Sequence, residues 1–189
     1  MIQALSNGFA RVERGAVRLL VVALPIMILV NVFGRFFKAP IFWLDELAVL
    51  VMVWLAMLGL SITLKSRDAV AVTLLTGAVP PTARKVLQLI SDLVVLGFCV
   101  ALIVLCYRWF NPLLLIHSDF NIETFAADSF NYIYQEPTET LGVPKFWFWL
   151  ILPVVSVTSS VHALANLLRT CRTPRSAFVD PPEAHPVAE

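Results

Sequence analysis

The chain has 189 residues, of which 59% are hydrophobic and 14% charged, and its formal net charge is +1. Soluble domains are about 45–50% apolar and about 25% charged, so this composition excludes an ordinary soluble domain and indicates an integral membrane protein. The small net charge gives no indication of nucleic-acid binding. The cysteines form neither a Cys-x-x-Cys pair nor a secreted disulfide framework.

Four apolar blocks are long enough to cross a bilayer, at about 16–34, 44–64, 86–108 and 146–168. They are apolar on all sides and do not alternate as β-barrel strands do, which predicts helices. The fold class is therefore all-α, with a four-helix membrane domain over residues 1–170. No small-residue cleavage site follows the first block, so we expect an uncleaved span. Prolines and few apolar residues predict a disordered tail over 171–189.

The basic residues predict the orientation of these spans. Ten lie in the N-terminal segment, the 65–85 connection and the C-terminal tail, against four on the opposite side, which places both termini in the cytoplasm. Aromatic residues support the same orientation, because several fall at the non-cytoplasmic ends of the spans: Trp43, Tyr107, Trp109, Trp147 and Trp149.

Two connections have a pattern of their own. Residues 69–75 are apolar but too short to span, which predicts a short helix at the cytoplasmic interface. The outer loop 111–145 contains an amphipathic pattern over 121–134 and no Lys or Arg before Lys145. Two interpretations remain open for this loop, a solvated acidic surface or a docking surface for an outer partner. Its acidic residues are Asp119, Glu123, Asp128, Glu136 and Glu139.

The second span opens on paired carboxylates. Asp45 and Glu46 follow Trp43, and eighteen uncharged residues separate Glu46 from Lys65. A carboxylate at the bilayer centre costs about 2.5–3.5 kcal/mol, so the pair must lie at the interface or have partners. Helical spacing places Asp45 on one face with mostly small residues, which favour close helix packing: Ala48, Met52, Ala56, Gly59 and Thr63. Glu46 points to a different neighbour.

Polar residues inside the other spans have structural and functional interpretations. Asp92 shares a stripe with Gln88, Cys99 and Cys106, and pairing with a basic side chain is the favoured role for it. His162 aligns with Ser159 and Asn166, where a hydrogen bond between helices is favoured over a haem or metal ligand.

The sequence offers no enzyme machinery. It shows no nucleophile–base arrangement, Gly-rich phosphate loop or metal-spaced cluster, so we predict neither catalytic residues, nor a cofactor, nor a metal site.

The second span and its flanks resemble the small membrane subunit of TRAP (tripartite ATP-independent periplasmic) transporters, the DctQ type. This chain follows the order that is typical of the family: a Trp, paired acids, an apolar run with a second Trp and a Gly, then basic residues. The residues that match this order are Trp43, Asp45, Glu46, Trp54, Gly59, Lys65 and Arg67. The segment 146–153 (FWFWLILP) resembles the aromatic entry to the family's last span. Val49 stands where the family often has an Arg, so we expect the acids' partner to be Arg35, Lys38 or the large subunit.

The resemblance implies a non-enzymatic scaffold subunit in the bacterial inner membrane. Its implied partners are the lipid bilayer, a large TRAP membrane subunit with the substrate and ion sites, and a periplasmic substrate-binding protein. Such systems import organic acids by symport, commonly with sodium. We therefore expect Trp43, Asp45, Glu46, Ala48, Ala56, Gly59, Thr63, Asp92 and His162 to be interface or structural residues, and the acids of the outer loop to contact the binding protein.

Two alternatives remain at this point. A stand-alone membrane adaptor would have the same packing stripes. A small intramembrane redox protein would need paired histidines or a Cys-x-x-Cys.

Overall fold

The computed structural model describes residues 1–67 and 80–174, and the fold of these residues is helical. The predicted interfacial helix over 69–75 and the predicted tail beyond Pro174 lie outside the described residues. The described helices are α1 (Ile2–Phe36), α2 (Phe42–Ser66), α3 (Pro81–Phe110), α4 (Pro112–His117), α5 (Ile122–Ser129), α6 (Phe146–Trp149) and α7 (Ile151–Arg172).

Four helical segments are long and apolar enough to cross a membrane, which confirms the prediction of an all-α protein with four transmembrane helices. They cover Ile2–Phe36, Phe42–Ser66, Ala83–His117 and Phe146–Arg172. The helix α1 has 35 residues, which at 1.5 Å per residue gives about 50 Å. It is therefore longer than the roughly 30 Å hydrocarbon core and extends beyond the apolar block seen in the sequence.

The last helix is the centre of the bundle. α7 packs against α3, α2 and α1, and α1 also packs along α2. The most apolar window of the α7 segment is 44% buried, against 6% for that of α1. The buried side chains of α7 are mainly small or polar, which lets neighbouring helices approach closely and supplies hydrogen bonds between them. These residues include Ser156, Thr158, Ser159, His162, Ala163, Ala165, Asn166 and Thr170.

Two apolar clusters lie at different levels of the bundle. The first joins Leu58 of α2 to Ile151 and Val155 of α7. The second joins Phe110, Phe125 and Ile133, and it anchors the connection 111–145 on the ends of α3 and α6. This connection is therefore a folded outer module. The outer end of the bundle is the end that carries this module, and the inner end is the opposite one.

The amphipathic pattern over 121–134 is helical only in its first half. α5 ends at Ser129 because Phe130 has φ 53°, a left-handed conformation that terminates a helix. The Asn121 side chain caps the start of α5 by accepting hydrogen bonds from the amides of Glu123 (3.0 Å) and Thr124 (3.1 Å). The face with Phe125 and Ala126 is buried, as an amphipathic surface helix requires.

Candidate functional site

The paired acids at the start of α2 bind two different neighbours. The Asp45 carboxylate forms an ion pair with Arg35 and accepts a hydrogen bond from Asn31, both on α1. The side chains of Arg35 and Asp45 are 62% and 49% exposed, so the pair lies at the bundle surface. An exposed ion pair contributes about 0–1 kcal/mol to the free energy of unfolding. This contact therefore aligns α1 and α2 but adds little to stability. Arg35 was one of the partners considered from the sequence.

Glu46 holds the outer module. Its carboxylate accepts hydrogen bonds from the amide nitrogens of Glu139 (2.8 Å), Thr140 (2.7 Å) and Leu141 (3.2 Å). The Thr140 hydroxyl donates a further bond at 2.6 Å. Hydrogen bonds to an ionised acceptor are roughly twice as strong as neutral ones. Glu46 therefore fixes the turn 139–141, about ninety residues further along the chain, onto the start of α2.

The same turn has a second support. The amide of Thr138 and the carbonyl of Val143 form a 2.8 Å hydrogen bond, and Lys145 forms a 2.9 Å ion pair with Glu136. The hydrogen bond that Lys145 donates to Glu136 raises the pKa of Lys145 above its ordinary value. Contacts within residues 136–145 therefore hold the turn together, and Glu46 additionally attaches it to the membrane helices.

Replacing Glu46 with alanine is expected to release this turn. Hydrogen exchange at the amides of Glu139, Thr140 and Leu141 should accelerate about tenfold, because these amides lose their ionised acceptor. The measurement is amide exchange followed by mass spectrometry of the full chain. Glu123→Gln is the matched control, since it removes an exposed carboxylate of the outer module but leaves Glu46 and the turn in place. Unchanged exchange in the Glu46→Ala variant would show that the turn needs no tie to α2.

Most of the predicted packing stripe on α2 faces away from the rest of this chain. Met52 is 52% exposed, and Ala56 and Thr63 are also exposed, while Leu58 and Ser61 on the opposite face are buried. A Cβ added at Gly59 would meet no atom within 4 Å. Trp43 is 48% exposed at the outer end of α2, and Ala48 is half-buried. The helices of this chain therefore leave most of the stripe uncovered.

Asp92 lies in a buried cluster at the inner end of the bundle. The Arg67 guanidinium, just past the end of α2, contacts the Asp92 carboxylate and the Thr170 hydroxyl, each at 2.7 Å. The same guanidinium donates to the carbonyl of Asn166 at 2.7 Å, and Thr170 donates to Asp92 at 2.6 Å. Arg67 has φ 61°, so its backbone ends α2 and turns its side chain back into the bundle. One arginine thereby joins α2, α3 and α7.

A second buried cluster lies between α1, α2 and α7. The His162 ring contacts Ser6 at 2.8 Å through Nδ1 and Glu13 at 3.1 Å through Nε2. The Ser61 hydroxyl donates to the other Glu13 oxygen at 2.8 Å. Lys65 donates to the Ser6 hydroxyl at 2.5 Å. Glu13 is 5% exposed and His162 is fully buried, so the cluster is closed off inside the bundle.

Both ring nitrogens of His162 are therefore occupied. A haem iron or a metal ion at this histidine would have to displace Ser6 or Glu13. The structure assigns His162 a hydrogen-bonding position between helices, which disfavours the redox alternative.

Sequence reasoning did not single out Glu13 and Ser6. The available signal was helical spacing: Ser6, Ala10 and Glu13 lie three or four residues apart, and all three are buried. They precede the first apolar block, so their face was not recognised as part of the bundle.

The acids of the outer module are exposed at its surface. Glu136 pairs with Lys145, and Glu139 supplies its backbone amide to Glu46. Beneath them, Tyr134 donates to the Phe110 carbonyl at 2.7 Å and lies edge-on to Phe125 and Phe146. Burial raises the pKa of the Tyr134 hydroxyl. Aromatic side chains therefore lie beneath the acidic surface and pack against the membrane helices.

The fold and these clusters define a membrane component whose polar residues serve to hold helices together. The family model of the tripartite ATP-independent periplasmic transporters, DctQ component, matches residues 24–173. The chain belongs to this family, which confirms the resemblance seen in the sequence and makes the protein a component of a membrane transport system. Glu13 and Ser6 lie before the matched residues.

One curated relative is the sialic acid TRAP transporter permease protein SiaT of Haemophilus influenzae (strain 86-028NP). It is 30% identical over 122 residues, which are 64% of this chain and 16% of that permease. The chain therefore spans about one sixth of the length of this relative.

Proposed function

We propose that this chain is the small scaffold subunit of a TRAP-type secondary transporter in the bacterial inner membrane. It supports a large membrane subunit that moves an organic acid together with an ion, for which we propose sodium. The similar permease is named for sialic acid, which is one such acid. The observation that supports the scaffold role is that buried charged side chains in the bundle are paired with other side chains of this chain. Glu13 is bound to His162 and Arg67 to Asp92, so these groups hold helices together and are not free to ligate a moving ion.

The proposed orientation places both termini in the cytoplasm. Four spans return the chain to the side on which it started. The excess of Lys and Arg at the inner end supports the proposal that this side faces the cytoplasm. The outer module consequently faces the periplasm.

The exposed stripe of α2 is the proposed contact with the large subunit. Its small residues allow a neighbouring helix to approach closely, and the opposite face of α2 is already occupied by α1 and α7. Asp45 and Glu46 orient this face, because they fix the start of α2 to α1 and to the outer module.

The test is co-purification of the full chain with a large TRAP membrane subunit produced in the same cells. We expect a stable complex that Ala56→Phe disrupts. Ala101→Phe, at an exposed position of α3, is the matched control and should leave the complex intact. If wild-type chain purifies alone and transports an organic acid by itself, the scaffold role is wrong. A normal complex without any organic-acid uptake defect on gene deletion would favour the adaptor alternative.

The acidic face of the outer module is the proposed contact for the substrate-binding protein. Electrostatic steering changes association rates about 10- to 1,000-fold and is screened over about 8 Å at physiological salt. We expect the triple variant Asp119→Lys, Glu123→Lys, Asp128→Lys to slow association with the binding protein at least about tenfold at low salt.

The measurement is the association rate on the assembled transporter at several salt concentrations. The neutral triple variant Asp119→Asn, Glu123→Gln, Asp128→Asn should have a smaller effect, and high salt should reduce the difference between all three proteins. Equal rates for the wild-type and the charge-reversed protein at low salt would exclude this face as the contact.

A further inference from the structure

A groove of about 440 Å³ opens at the inner end of the bundle, between the first turn of α1 and the last turn of α7. Its volume falls within the usual range of about 300–1,000 Å³ for ligand pockets. Arg169, Arg172 and Thr173 line it on one side, and Met1, Ile2 and Gln3 on the other. It is separate from the two buried clusters, whose side chains point into the bundle.

The groove is electropositive, and no carboxylate of the described residues forms an ion pair with its arginines. Arg169 and Arg172 are exposed, and neither forms an ion pair with a residue of the described ranges. Arg169 is also near enough to Lys65 for their positive charges to interact. The carboxylates of Glu13 and Asp92, which lie towards this end, are committed to His162 and Arg67.

The first turn of α1 adds donors. The helix begins without a side-chain cap and has no acidic residue in its first turn. The amides of this turn therefore lack intrahelical partners, and the positive end of the helix dipole lies at the groove. An anion between α1 and α7 would meet amide donors from one helix and guanidinium groups from the other.

The remaining walls are apolar. Leu168 and Ile2 line the groove, and Leu5, one turn further along α1, is 51% exposed. A groove with cations at its mouth and apolar side chains beside them suits a phospholipid, because the phosphate and the acyl chains each find a matching surface. Basic pockets between helices on the cytoplasmic side of membranes bind anionic headgroups in this manner.

We propose that this groove binds the headgroup phosphate of an anionic phospholipid, with Arg169 and Arg172 as its ligands. Such a lipid bridges the first and last helices at the inner end of the bundle. The proposal needs only that the chain resides in a membrane, and it is independent of assembly with a large subunit.

The test measures lipid binding to the purified full chain by native mass spectrometry. The probes are phosphatidylglycerol and phosphatidylcholine with identical acyl chains, and inorganic phosphate in a separate arm. We expect about 30-fold tighter binding of phosphatidylglycerol, because each juxtamembrane arginine contributes about 1 kcal/mol and 1.4 kcal/mol is a factor of ten. Arg169→Gln/Arg172→Gln should abolish this preference, and Arg169→Lys/Arg172→Lys should retain most of it.

The matched control is Lys38→Gln/Arg108→Gln, which removes two exposed cations from the outer end and should keep the preference. Equal binding of the two lipids by the wild-type chain would overturn the proposal. So would a preference that survives Arg169→Gln/Arg172→Gln, since the arginines would then only offset the dipole at the end of α7. Displacement of phosphatidylglycerol by inorganic phosphate at the same concentration would identify a free-phosphate site instead.

Discussion

Replacing Asp92 with leucine is expected to lower the free energy of unfolding by about 3–5 kcal/mol, because it leaves the Arg67 guanidinium buried without its carboxylate. The Asp92 side chain is 7% exposed and that of Arg67 22%, so water cannot fully replace the lost partner. Thr170 would lose its 2.6 Å hydrogen bond to Asp92 at the same time and keep only the 3.1 Å contact with the Asn166 carbonyl. The effect should be much larger than that of breaking the exposed Arg35–Asp45 pair, which is expected to cost at most about 1 kcal/mol.

The measurement is unfolding of the purified chain in mixed micelles with increasing denaturing detergent. The double variant Arg67→Met/Asp92→Leu is the informative companion, because removing both charges together is often neutral or stabilising. We therefore expect it to be more stable than Asp92→Leu alone. Asp128→Leu, at an exposed position of α5, is the control and should change stability by less than about 0.5 kcal/mol. A double variant as unstable as the single one would mean that the cluster matters for packing and not for charge.

The number of transmembrane helices was predictable because an apolar run of about twenty residues has few alternatives in a membrane. The stripes were also informative, since Asp92, Cys99 and Cys106 on α3 are buried together, as are Ser159, His162 and Asn166 on α7. Helical spacing states which residues share a face, and burial of polar groups in a bundle requires that face to be turned inward.

The partners of these residues were not predictable. Asp92 lies two turns above Arg84 and Lys85, yet it pairs with Arg67, which a left-handed turn at the end of α2 directs inward. Glu46 is bound by a turn about ninety residues away that contains no basic residue, so no charge pattern pointed to it. Such contacts depend on where a loop returns in space, which periodicity does not encode.

The structure changes the interpretation of α2. The sequence suggested that its small-residue face packs within the bundle or against a partner. The structure leaves most of that face exposed and uses Leu58 and Ser61 on the other side for internal packing. A helix that is fixed at both ends, by Asp45 and Glu46 at one and by Lys65 and Arg67 at the other, presents its free face in a defined orientation. That is the property that the proposed scaffold role requires.

The Glu13–His162 contact should be the other large contributor to the stability of this orientation. Glu13→Leu leaves Nε2 of His162 without a partner and leaves the Ser61 hydroxyl only its weaker 3.3 Å contact with Thr158, and an unsatisfied buried group costs about 1–3 kcal/mol. We expect a loss of about 3 kcal/mol, whereas Glu13→Gln, which keeps an oxygen and gains an N–H donor, should lose about 1 kcal/mol.

A double-variant cycle separates this contact from simple packing. Glu13→Leu and His162→Leu should be less than additive, with a coupling of about 1.5–3 kcal/mol, because removing both groups leaves neither one unpaired. Unfolding in mixed micelles supplies the four free energies, and Arg11→Leu on an exposed face of α1 is the control. Strict additivity would contradict a direct interaction. Since Ser6 and Glu13 precede the residues that the family model matches, a strong coupling would also show that this chain secures its first helix with residues outside the shared region.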